Sequence, residues 1–263
     1  MAYSQIILEK SGHTATMTLN QPEKLNALSA TLRGDMLDAI AEVKDDDDIR
    51  VMIVTGAGRG FCSGADLTGD REASQPSQND QLDDLGWVGR QALSMYGLNK
   101  PVIGAINGVA AGAGMSLACA CDVRVGSEKT RFKVVFIERN LSPDSGLSFF
   151  LPRIVGYSRA ADLIYTSRAI DADEAYRMGL IDRLVSSDDL LATANEMADQ
   201  MAQWPPLALR MSKRVLQHNI EVDLEDAVRF ELTSLVYGNK ATDDHKESIA
   251  AFLEKRKPTY TGT

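Results

Sequence analysis

Residues 101–118 read PVIGAINGVAAGAGMSLA, an apolar run followed by a turn of small residues. The apolar run is typical of a buried β-strand, and Met115, Leu117 and Ala118 predict a helix after the turn. A glycine-rich turn lets a ligand approach the main chain closely, and the unpaired N–H groups at a helix start favour negative charge. The stretch therefore predicts a mixed α/β fold in which a strand, a turn and a helix can together hold an anion.

A second turn of this kind, GAGRGFCSGADL at 56–67, follows the predicted buried strand VMIVT at 51–55. If each turn directs one N–H group at the same oxygen, the two form an oxyanion hole that stabilises an enolate or a tetrahedral anion. The alternative is that both are packing turns, which is the commoner role of either turn taken alone. The two turns together make the oxyanion hole the hypothesis to test.

Other well-known motifs are absent from the turn at 56–67. A dinucleotide-binding fold would need Gly-x-Gly-x-x-Gly, but its last position falls on Phe61 or Ser63 in the two frames. A P-loop would need Gly-Lys-Ser/Thr, and an esterase would need Gly-x-Ser-x-Gly around Ser63. Neither pattern occurs here, so the turn is not predicted to bind nucleotide phosphates or to carry a serine nucleophile.

Strand and helix signals alternate through the first part of the chain. Residues 5–9 and 14–19 are predicted strands, and Ser29 is predicted to cap a helix. The apolar stripe of that helix comprises Leu32, Met36, Ile40 and Val43. Residues 68–86 are polar and irregular, which predicts a mobile surface loop.

The second part of the chain is more helical. A capping-box pattern at Asp171 and Glu174 predicts a helix that Gly179 can end. We therefore predict two regions, an α/β core at 1–200 that carries the site and a helical region at 201–263.

Composition limits the classes of function. The 263 residues are 44% hydrophobic and 25% charged, without an apolar run long enough to span a membrane, so a cytoplasmic globular protein with no membrane partner is expected. With 37 acidic and 28 basic residues the net charge is −9, which disfavours nucleic acid as a partner. The three cysteines and three histidines show no metal-ligand spacing, so no metal is expected.

Five motifs resemble, in order along the chain, those of the crotonase superfamily of enoyl-CoA hydratases and isomerases. They are FCSGADL, NGVAAGAGMSLACACD, FLPRIVGYSRA, AIDADEAYRMGLIDRLV and AAFLEKRKPTYTG. The resemblance covers essentially the whole chain and is specific to the family, though not to one reaction. It implies a ClpP/crotonase-like spiral of strand–strand–helix units with a C-terminal helical region that builds homotrimers or dimers of trimers. It implies an acyl-CoA substrate, of which coenzyme A is a part, and no separate cofactor.

The resemblance also implies the residues of the site. The N–H groups of Ala65 and Ala113 would hold the thioester oxygen, with Gly64 and Gly112 shaping the two turns. Coenzyme A would lie along Lys24, Asn26, Ala27, Leu28, Ser63, Gly64, Asp66 and Leu67, while Phe252 and Lys255 of a neighbouring subunit would approach its nucleotide end.

Hydratases of this family carry two glutamates, and this sequence lacks both. Counting along the motifs, their positions fall on Ser116 and Phe136, and Glu138 lies two residues beyond the second. Hydration needs water activated on one side and a proton delivered to the α carbon, and neither Ser116 nor Phe136 exchanges protons near neutral pH. Efficient hydration is therefore not expected, and Ser116 and Phe136 are assigned to substrate binding.

The turn LSPDSGLS at 141–148 supplies a carboxyl group at Asp144. In isomerase branches of the family, including the one that isomerises ring-epoxide phenylacetyl-CoA, a carboxylate directly after this proline faces the acyl chain. Phe136, Leu141 and Phe149 are predicted to raise its pKa by excluding water. We predict that Asp144 carries a proton between C2 and C4 of a 3-enoyl-CoA; the alternative is a turn residue bonded to its own main chain.

Two rival functions remain open. One is an enoyl-CoA hydratase, a lyase, in which Asp144 or Glu138 replaces the missing glutamates. The other is an acyl-CoA-binding family member without catalysis. The sequence does not reveal the acyl chain length, or whether the acyl group is aliphatic or aromatic.

Overall fold

A computed structural model describes residues 3–68 and 77–263, and within these ranges the strands form two sheets. The strands are β1 (Ile6–Ser11), β2 (Thr14–Leu19), β3 (Val51–Gly56), β4 (Gly60–Cys62), β5 (Val102–Ile106), β6 (Val109–Ala111), β7 (Val123–Ser127), β8 (Arg131–Lys133), β9 (Ala169–Asp171) and β10 (Arg183–Val185). The larger sheet has the order β1-β2-β3-β5-β7-β10 and the smaller one β4-β6-β8-β9.

Helices follow or separate these strands. They are α1 (Ala30–Asp45), α2 (Gln78–Gln81), α3 (Gly86–Tyr96), α4 (Ala113–Cys119), α5 (Leu147–Val155), α6 (Tyr157–Thr166), α7 (Ala172–Arg177), α8 (Leu190–Ala202), α9 (Pro206–Asn219), α10 (Leu224–Gly238) and α11 (Thr242–Glu254). No helix of the described ranges is long and apolar enough to cross a lipid bilayer.

The two sheets are built by a repeated strand–strand–helix unit. β3 and β4, β5 and β6, and β7 and β8 are consecutive pairs, and each pair places one strand in each sheet. Strands of neighbouring units pair in parallel in both sheets. The pairings of β1 with β2 and of β8 with β9 are antiparallel. Each unit therefore stacks on the preceding one, which produces the predicted spiral.

The central strands are buried on both faces, as parallel strands between two layers must be. All six residues of β3 are buried. Met52 and Val54 belong to the main apolar core, whereas Val51 and Ile53 pack in a second cluster with Ala194 and other residues of α8. The prediction of a fully buried strand at 51–55 is confirmed.

Both predicted helix caps are confirmed. The N–H of Leu32 donates to Ser29 Oγ at 3.0 Å, and the N–H of Glu174 donates to Asp171 Oδ1 at 2.9 Å. The predicted apolar stripe of α1 is buried throughout. Side-chain oxygens satisfy main-chain N–H groups that a helix start leaves without partners, which is why these caps could be predicted locally.

The prediction of an irregular loop at 68–86 is only partly testable. Residues 69–76 lie outside the described residues, and α2 forms within the part that is described. The sequence analysis also missed α3, which begins at Gly86. Its buried residues are Gln91 and Met95, so a polar side chain interrupts the apolar stripe by which a helix is predicted.

The C-terminal helices pack against each other and onto the core. Arg50, which is buried, donates from its guanidinium to the carbonyl oxygens of Ala202 at 2.8 Å and Tyr260 at 2.6 Å, so the last residues are tied to the start of β3. Residue 200 lies inside α8, and the boundary placed there from the sequence stays a prediction.

Candidate active site

The two glycine-rich turns are in direct contact. A Cβ atom added to Gly64 would lie 2.8 Å from the carbonyl oxygen of Ala111 and 3.5 Å from the nitrogen of Ala113. One added to Gly114 would lie 2.1 Å from the carbonyl oxygen of Cys62. Gly64 also has a φ of 96°, which a side chain disfavours. Glycine is therefore required where the turns meet.

The N–H groups of Ala65 and Ala113 are left available by the main chain around them. Ala65 and Leu28 form an isolated parallel bridge. Its hydrogen bonds are donated by the N–H of Leu28 to Gly64 O at 2.7 Å and by the N–H of Asp66 to Leu28 O at 3.4 Å, so the bridge does not use the N–H of Ala65. Ala113 is the first residue of α4, where no preceding helical carbonyl exists. Neither N–H group donates a hydrogen bond to a described residue. The contacting turns thus present two unpaired donors, as an oxyanion hole requires.

The two stretches predicted to hold coenzyme A lie side by side. The N–H of Ser63 donates to Leu25 O at 3.0 Å, and Lys24 Nζ forms an ion pair of 2.9 Å with the Asp66 carboxylate. Hydrogen bonds from Thr68, together with Lys24, hold the pKa of Asp66 well below its usual range. The exposed end of this pair of stretches therefore carries a fixed carboxylate and a lysine.

The side chains of those two stretches differ in whether they could contact coenzyme A. Asn26 is fully buried, and its Nδ2 donates to the carbonyl oxygens of Ala57, Gly60 and Phe61. Its side chain therefore shapes the turn, and any contact with coenzyme A would come from its main chain. Ala27 and Leu28 are also buried, whereas Leu67 is 62% exposed.

Ser116 links the oxyanion turn to the turn that carries Asp144. It is fully buried one helical turn into α4, and its hydroxyl is 3.3 Å from Gly112 O and 3.1 Å from the main-chain oxygen of Asp144. The N–H of Leu147 donates to that same Asp144 oxygen at 3.0 Å. The position of Asp144 is therefore set from the helix whose first residue is Ala113.

The Asp144 carboxyl group is half-buried, and its surroundings adjust its proton affinity in two directions. Burial raises the pKa of Asp144, and a hydrogen bond from Ser145 Oγ to Oδ1, 3.0 Å long, lowers it in part. Ser145 has a φ of 51° and Gly146 one of 80°, so the turn is in the left-handed region at two successive residues. A half-buried carboxyl group with a raised pKa is suited to accept and return a proton.

Comparison with known proteins agrees with this geometry. A family model described as enoyl-CoA hydratase/isomerase matches residues 9–263. The chain belongs to the enoyl-CoA hydratase/isomerase family. It is 36% identical over 260 residues to the short-chain-enoyl-CoA hydratase of Clostridium acetobutylicum, covering 98% of this chain and 97% of the relative. It is 33% identical over 249 residues to the 1,2-epoxyphenylacetyl-CoA isomerase of Escherichia coli, covering 94% of each.

The fold of this enoyl-CoA hydratase/isomerase family member is that of solved relatives. A crystal structure of an enoyl-CoA hydratase from Bacillus anthracis superposes with a TM-score of 0.90 at 33% identity, covering 99% of this chain and 100% of that one. The crotonase fold, a spiral of strand–strand–helix units with a C-terminal helical region, is thereby confirmed.

The apolar residues predicted around Asp144 are distributed unevenly in this family member. Phe136 is buried, and its Cζ lies 4.0 Å from where a Cβ on Gly112 would stand, so it borders the oxyanion turn. Leu141 is 56% exposed, and Phe149 packs edge-on against Phe150. Phe136 thus borders the turn of Ala113, and the expectation that Leu141 helps to exclude water from the Asp144 carboxyl group stays a prediction.

The carboxylate of Glu138 is engaged in ion pairs. Its carboxylate forms an ion pair of 2.7 Å with Lys133 and a longer one of 3.9 Å with Arg139. The Lys133 hydrogen bond lowers the pKa of Glu138, and 39% of its side chain is exposed. The alternative in which Glu138 replaces the glutamate missing at position 136 stays a prediction.

The structure adds a residue that the sequence analysis missed. Gln91 of α3 is 2% exposed, and its Nε2 donates to the carbonyl oxygen of Ala113 at 3.2 Å. In the sequence, Gln91 lies four residues after Trp87 and four before Met95, which is helical spacing. This pattern points to Gln91 only once the helix is known.

The remaining predicted residues lie elsewhere on this chain. Phe252, 82% exposed, lies in α11, and Lys255 directly follows that helix with a φ of 54°. Their assignment to the coenzyme A site of a neighbouring subunit stays a prediction. Among residues 3–68 and 77–263, no group of His, Cys, Asp and Glu could hold a metal ion.

Proposed function

We propose that this protein isomerises an acyl-CoA thioester, moving a double bond or opening a ring epoxide, with Asp144 as its proton carrier. The observation that carries the proposal is that Ser116 ties the half-buried Asp144 to the helix that begins at the oxyanion turn. Ser116 and Phe136 occupy the two positions at which a hydratase of this family has glutamates. Asp144 is then the proton-exchanging residue that Ser116 links to the oxyanion turn, and a double-bond shift needs one such residue.

The steps follow from that arrangement. The Asp144 carboxylate removes a proton from C2 of a 3-enoyl-CoA, and the electron pair of that C–H bond forms an enolate on the thioester oxygen. The N–H groups of Ala65 and Ala113 stabilise this oxyanion. The enolate then collapses, the double bond moves to C2–C3, and C4 takes the proton from Asp144. The atoms of the substrate are unchanged in number.

Hydration of a 2-enoyl-CoA is the second candidate, favoured by the names of relatives such as the hydratase of Clostridium acetobutylicum. In that case Asp144 would have to activate water without the help of a second carboxyl group. The ion-paired state of Glu138 argues against such help. This observation ranks isomerisation above hydration.

One experiment separates the two. Wild-type enzyme is given 2-enoyl, 3-enoyl and ring-epoxide CoA thioesters in water labelled with ¹⁸O, and the products are weighed by mass spectrometry. We expect products with the mass of the substrate and no label. The Asp144→Asn variant is expected to lose about 10²- to 10⁴-fold in turnover while still binding acyl-CoA. Label uptake from 2-enoyl-CoA, or turnover retained by the variant, would contradict the proposal.

We also propose that α10 contributes to an interface between copies of the chain. Its residues Leu224, Val228, Leu232 and Leu235 are 48–79% exposed and share one helical stripe. A cavity of about 710 Å³ between α9, α10 and α11 includes Leu235 in its lining. Light scattering is expected to show a trimer or a dimer of trimers. Leu232→Glu should dissociate it, whereas Leu191→Glu, which changes an exposed leucine of α8, should not.

A further inference from the structure

The strands that lead into the two oxyanion turns pair with an irregularity of one residue. β4 and β6 run parallel, and Gly60 lies opposite Val109. The next pair in register is Cys62 with Ala110, so two steps along β4 correspond to one step along β6. This is the count of a β-bulge, with Phe61 as the extra residue. A bulge shifts the register of the residues that follow it, and bulges are frequent next to active sites.

The shift decides which residues of the two turns lie opposite each other. Ala65 comes three residues after Cys62. Ala113 likewise comes three residues after Ala110, the partner of Cys62. The register that follows the bulge therefore places the two predicted donors opposite each other. Without the extra residue Ala65 would lie opposite Gly114, a displacement of one residue or about 3.3 Å along the strand.

The side chain of Asn26 binds the carbonyl groups at the bulge. It is fully buried, and its Nδ2 donates to the oxygens of Gly60 at 2.8 Å and Phe61 at 3.2 Å. A third bond, of 3.0 Å, reaches the oxygen of Ala57 in the turn before β4. Asn26 Oδ1 accepts from the N–H of Gln21 at 2.8 Å, which fixes the orientation of the amide. Both ends of this amide are therefore used by main-chain groups.

Asn107 reaches the same carbonyl group from the second glycine-rich stretch. It lies between β5 and β6, and its Nδ2 donates to Gly60 O at 3.2 Å and to Gly58 O at 3.0 Å. Its Oδ1 accepts from the N–H of Gly56 at 3.2 Å. The oxygen of Gly60 thus receives an amide hydrogen from each of two segments that are distant in the sequence.

Steric contact restrains the same segment of main chain. A Cβ on Gly108, which follows Asn107, would lie 2.1 Å from the oxygen of Arg59. A Cβ on Gly56 would lie 2.3 Å from the oxygen of Gly60. These contacts set how closely the segment packs, whereas hydrogen bonds are directional and set its position along β6.

We propose that Asn26 and Asn107 are positioning residues, which hold the bulge between β4 and β6 and so keep the two N–H groups of the oxyanion hole opposite each other. Neither side chain touches the substrate in this role, and each acts through the turn that it binds. The inference rests on the proposed function in that both N–H groups must bind the thioester oxygen. A misplacement of about 1 Å at a reacting centre can cost about 10²-fold in rate.

The test observes the thioester carbonyl group itself and does not depend on Asp144. The protein is loaded with hexanoyl-CoA, which is saturated and is labelled with ¹³C at the thioester carbonyl. Infrared difference spectroscopy then measures the stretching band of that carbonyl. Binding to the wild type should move the band to lower wavenumber than in solution, because two N–H groups polarise the C=O bond.

The variants Asn26→Ala and Asn107→Ala should each show a smaller displacement of this band. The Kd for hexanoyl-CoA should change by less than about 10-fold, since at most one hydrogen bond to the ligand is lost. Turnover of a 3-enoyl-CoA should fall by about 10²-fold. A loss in turnover that exceeds the loss in binding, together with the band, identifies misplacement of the hole.

The matched control is Asn99→Ala. Asn99 is half-buried, and its Oδ1 accepts from Nε of Arg214 in α9 at 2.9 Å. The carbonyl band and the turnover of this control should be those of the wild type. If Asn107→Ala does not fold, Asn107→Ser takes its place, because one short hydroxyl group cannot make all three hydrogen bonds of the amide.

The outcomes separate this inference from the function on which it rests. Bands in both asparagine variants that match the wild type would overturn the positioning role and leave isomerisation by Asp144 untouched. A band that Asn99→Ala alters as strongly would overturn it as well. A displacement that shrinks in the variants of a protein that isomerises no acyl-CoA would support the positioning role and refute the reaction. If binding to the wild type does not displace the band, the oxyanion hole and this inference fail together.

Discussion

The oxyanion turns and the turn of Asp144 are built in opposite ways. Gly64 and Gly114 bring main-chain atoms of two turns into contact, and an added Cβ at either would collide with a carbonyl oxygen. The Asp144 turn is instead held by two hydroxyl groups, one from Ser116 to its main chain and one from Ser145 to its carboxyl group. Gly64 and Gly114 thus tolerate no added atom, whereas the two hydroxyl hydrogen bonds of the Asp144 turn can be removed one at a time.

The largest expected effect comes from breaking the first region. Gly64→Ala places a Cβ 2.8 Å from Ala111 O at a φ of 96°, which should reduce the free energy of unfolding by about 1–3 kcal/mol. Turnover should fall by about 10²- to 10³-fold, since the Ala65 N–H is displaced from the hole. Urea unfolding and steady-state kinetics measure the two effects.

A matched glycine outside the site serves as the control. Gly34 lies in α1 with open space where its Cβ would stand. Gly34→Ala should therefore stabilise the protein by about 0.5–1 kcal/mol and leave turnover unchanged. If Gly64→Ala behaves like Gly34→Ala, the two turns do not form a hole.

The second prediction concerns stability at the Asp144 turn. Because burial raises the pKa of Asp144, the folded protein holds this proton more tightly than the unfolded chain does. The charged carboxylate therefore destabilises the fold above the raised pKa, and this penalty disappears below the unfolded-state pKa of about 3.9. Asp144→Asn should therefore increase the unfolding free energy at pH 7, although its turnover is expected to fall by about 10²- to 10⁴-fold.

Unfolding measured at several pH values checks the sign of this effect. The difference between Asp144→Asn and wild type should shrink as the pH falls through the raised pKa toward 3.9. A variant that is less stable than wild type at pH 7 would mean that the charge is satisfied by the fold. Asp144 would then be a turn residue, which is the alternative that the local sequence allows.

The smallest effect should come from the hydroxyl of Ser145. Ser145→Ala removes the hydrogen bond that lowers the pKa of Asp144. Alanine keeps the Cβ of serine, so the substitution adds no strain to the left-handed backbone at this residue. The acid limb of the kcat/KM profile against pH should then move to higher pH. Ser148→Ala, at an exposed serine of the following helix, should leave the profile in place. An unchanged profile in Ser145→Ala would remove Ser145 from the control of this group.

Much of the fold could be predicted because its signals are local. The buried strand at 51–55 and the caps at Ser29 and Asp171 depend on residues within one or two turns of each other. The helix α3 was missed for the opposite reason. Its buried stripe contains Gln91, whose burial is explained by a carbonyl group 22 residues away.

The site shows the same division between near and distant contacts. The sequence alone revealed the two glycine turns, the lack of glutamates at positions 116 and 136, and a carboxyl group in a proline turn. The contact of Gly64 with Ala111 and the link from Ser116 to Asp144 join residues 28 or more positions apart. Such pairs become neighbours only when the strand–strand–helix units stack.

The sequence by itself determined which chemical groups this protein has: small residues where main chain must meet main chain, no glutamate at positions 116 and 136, and one aspartate in a proline turn. Only the tertiary structure decided which groups face each other, which are buried, and therefore which have a shifted pKa. The physical reason is that propensities, caps and turns act over a few residues. Burial and long-range hydrogen bonds depend on how distant segments pack.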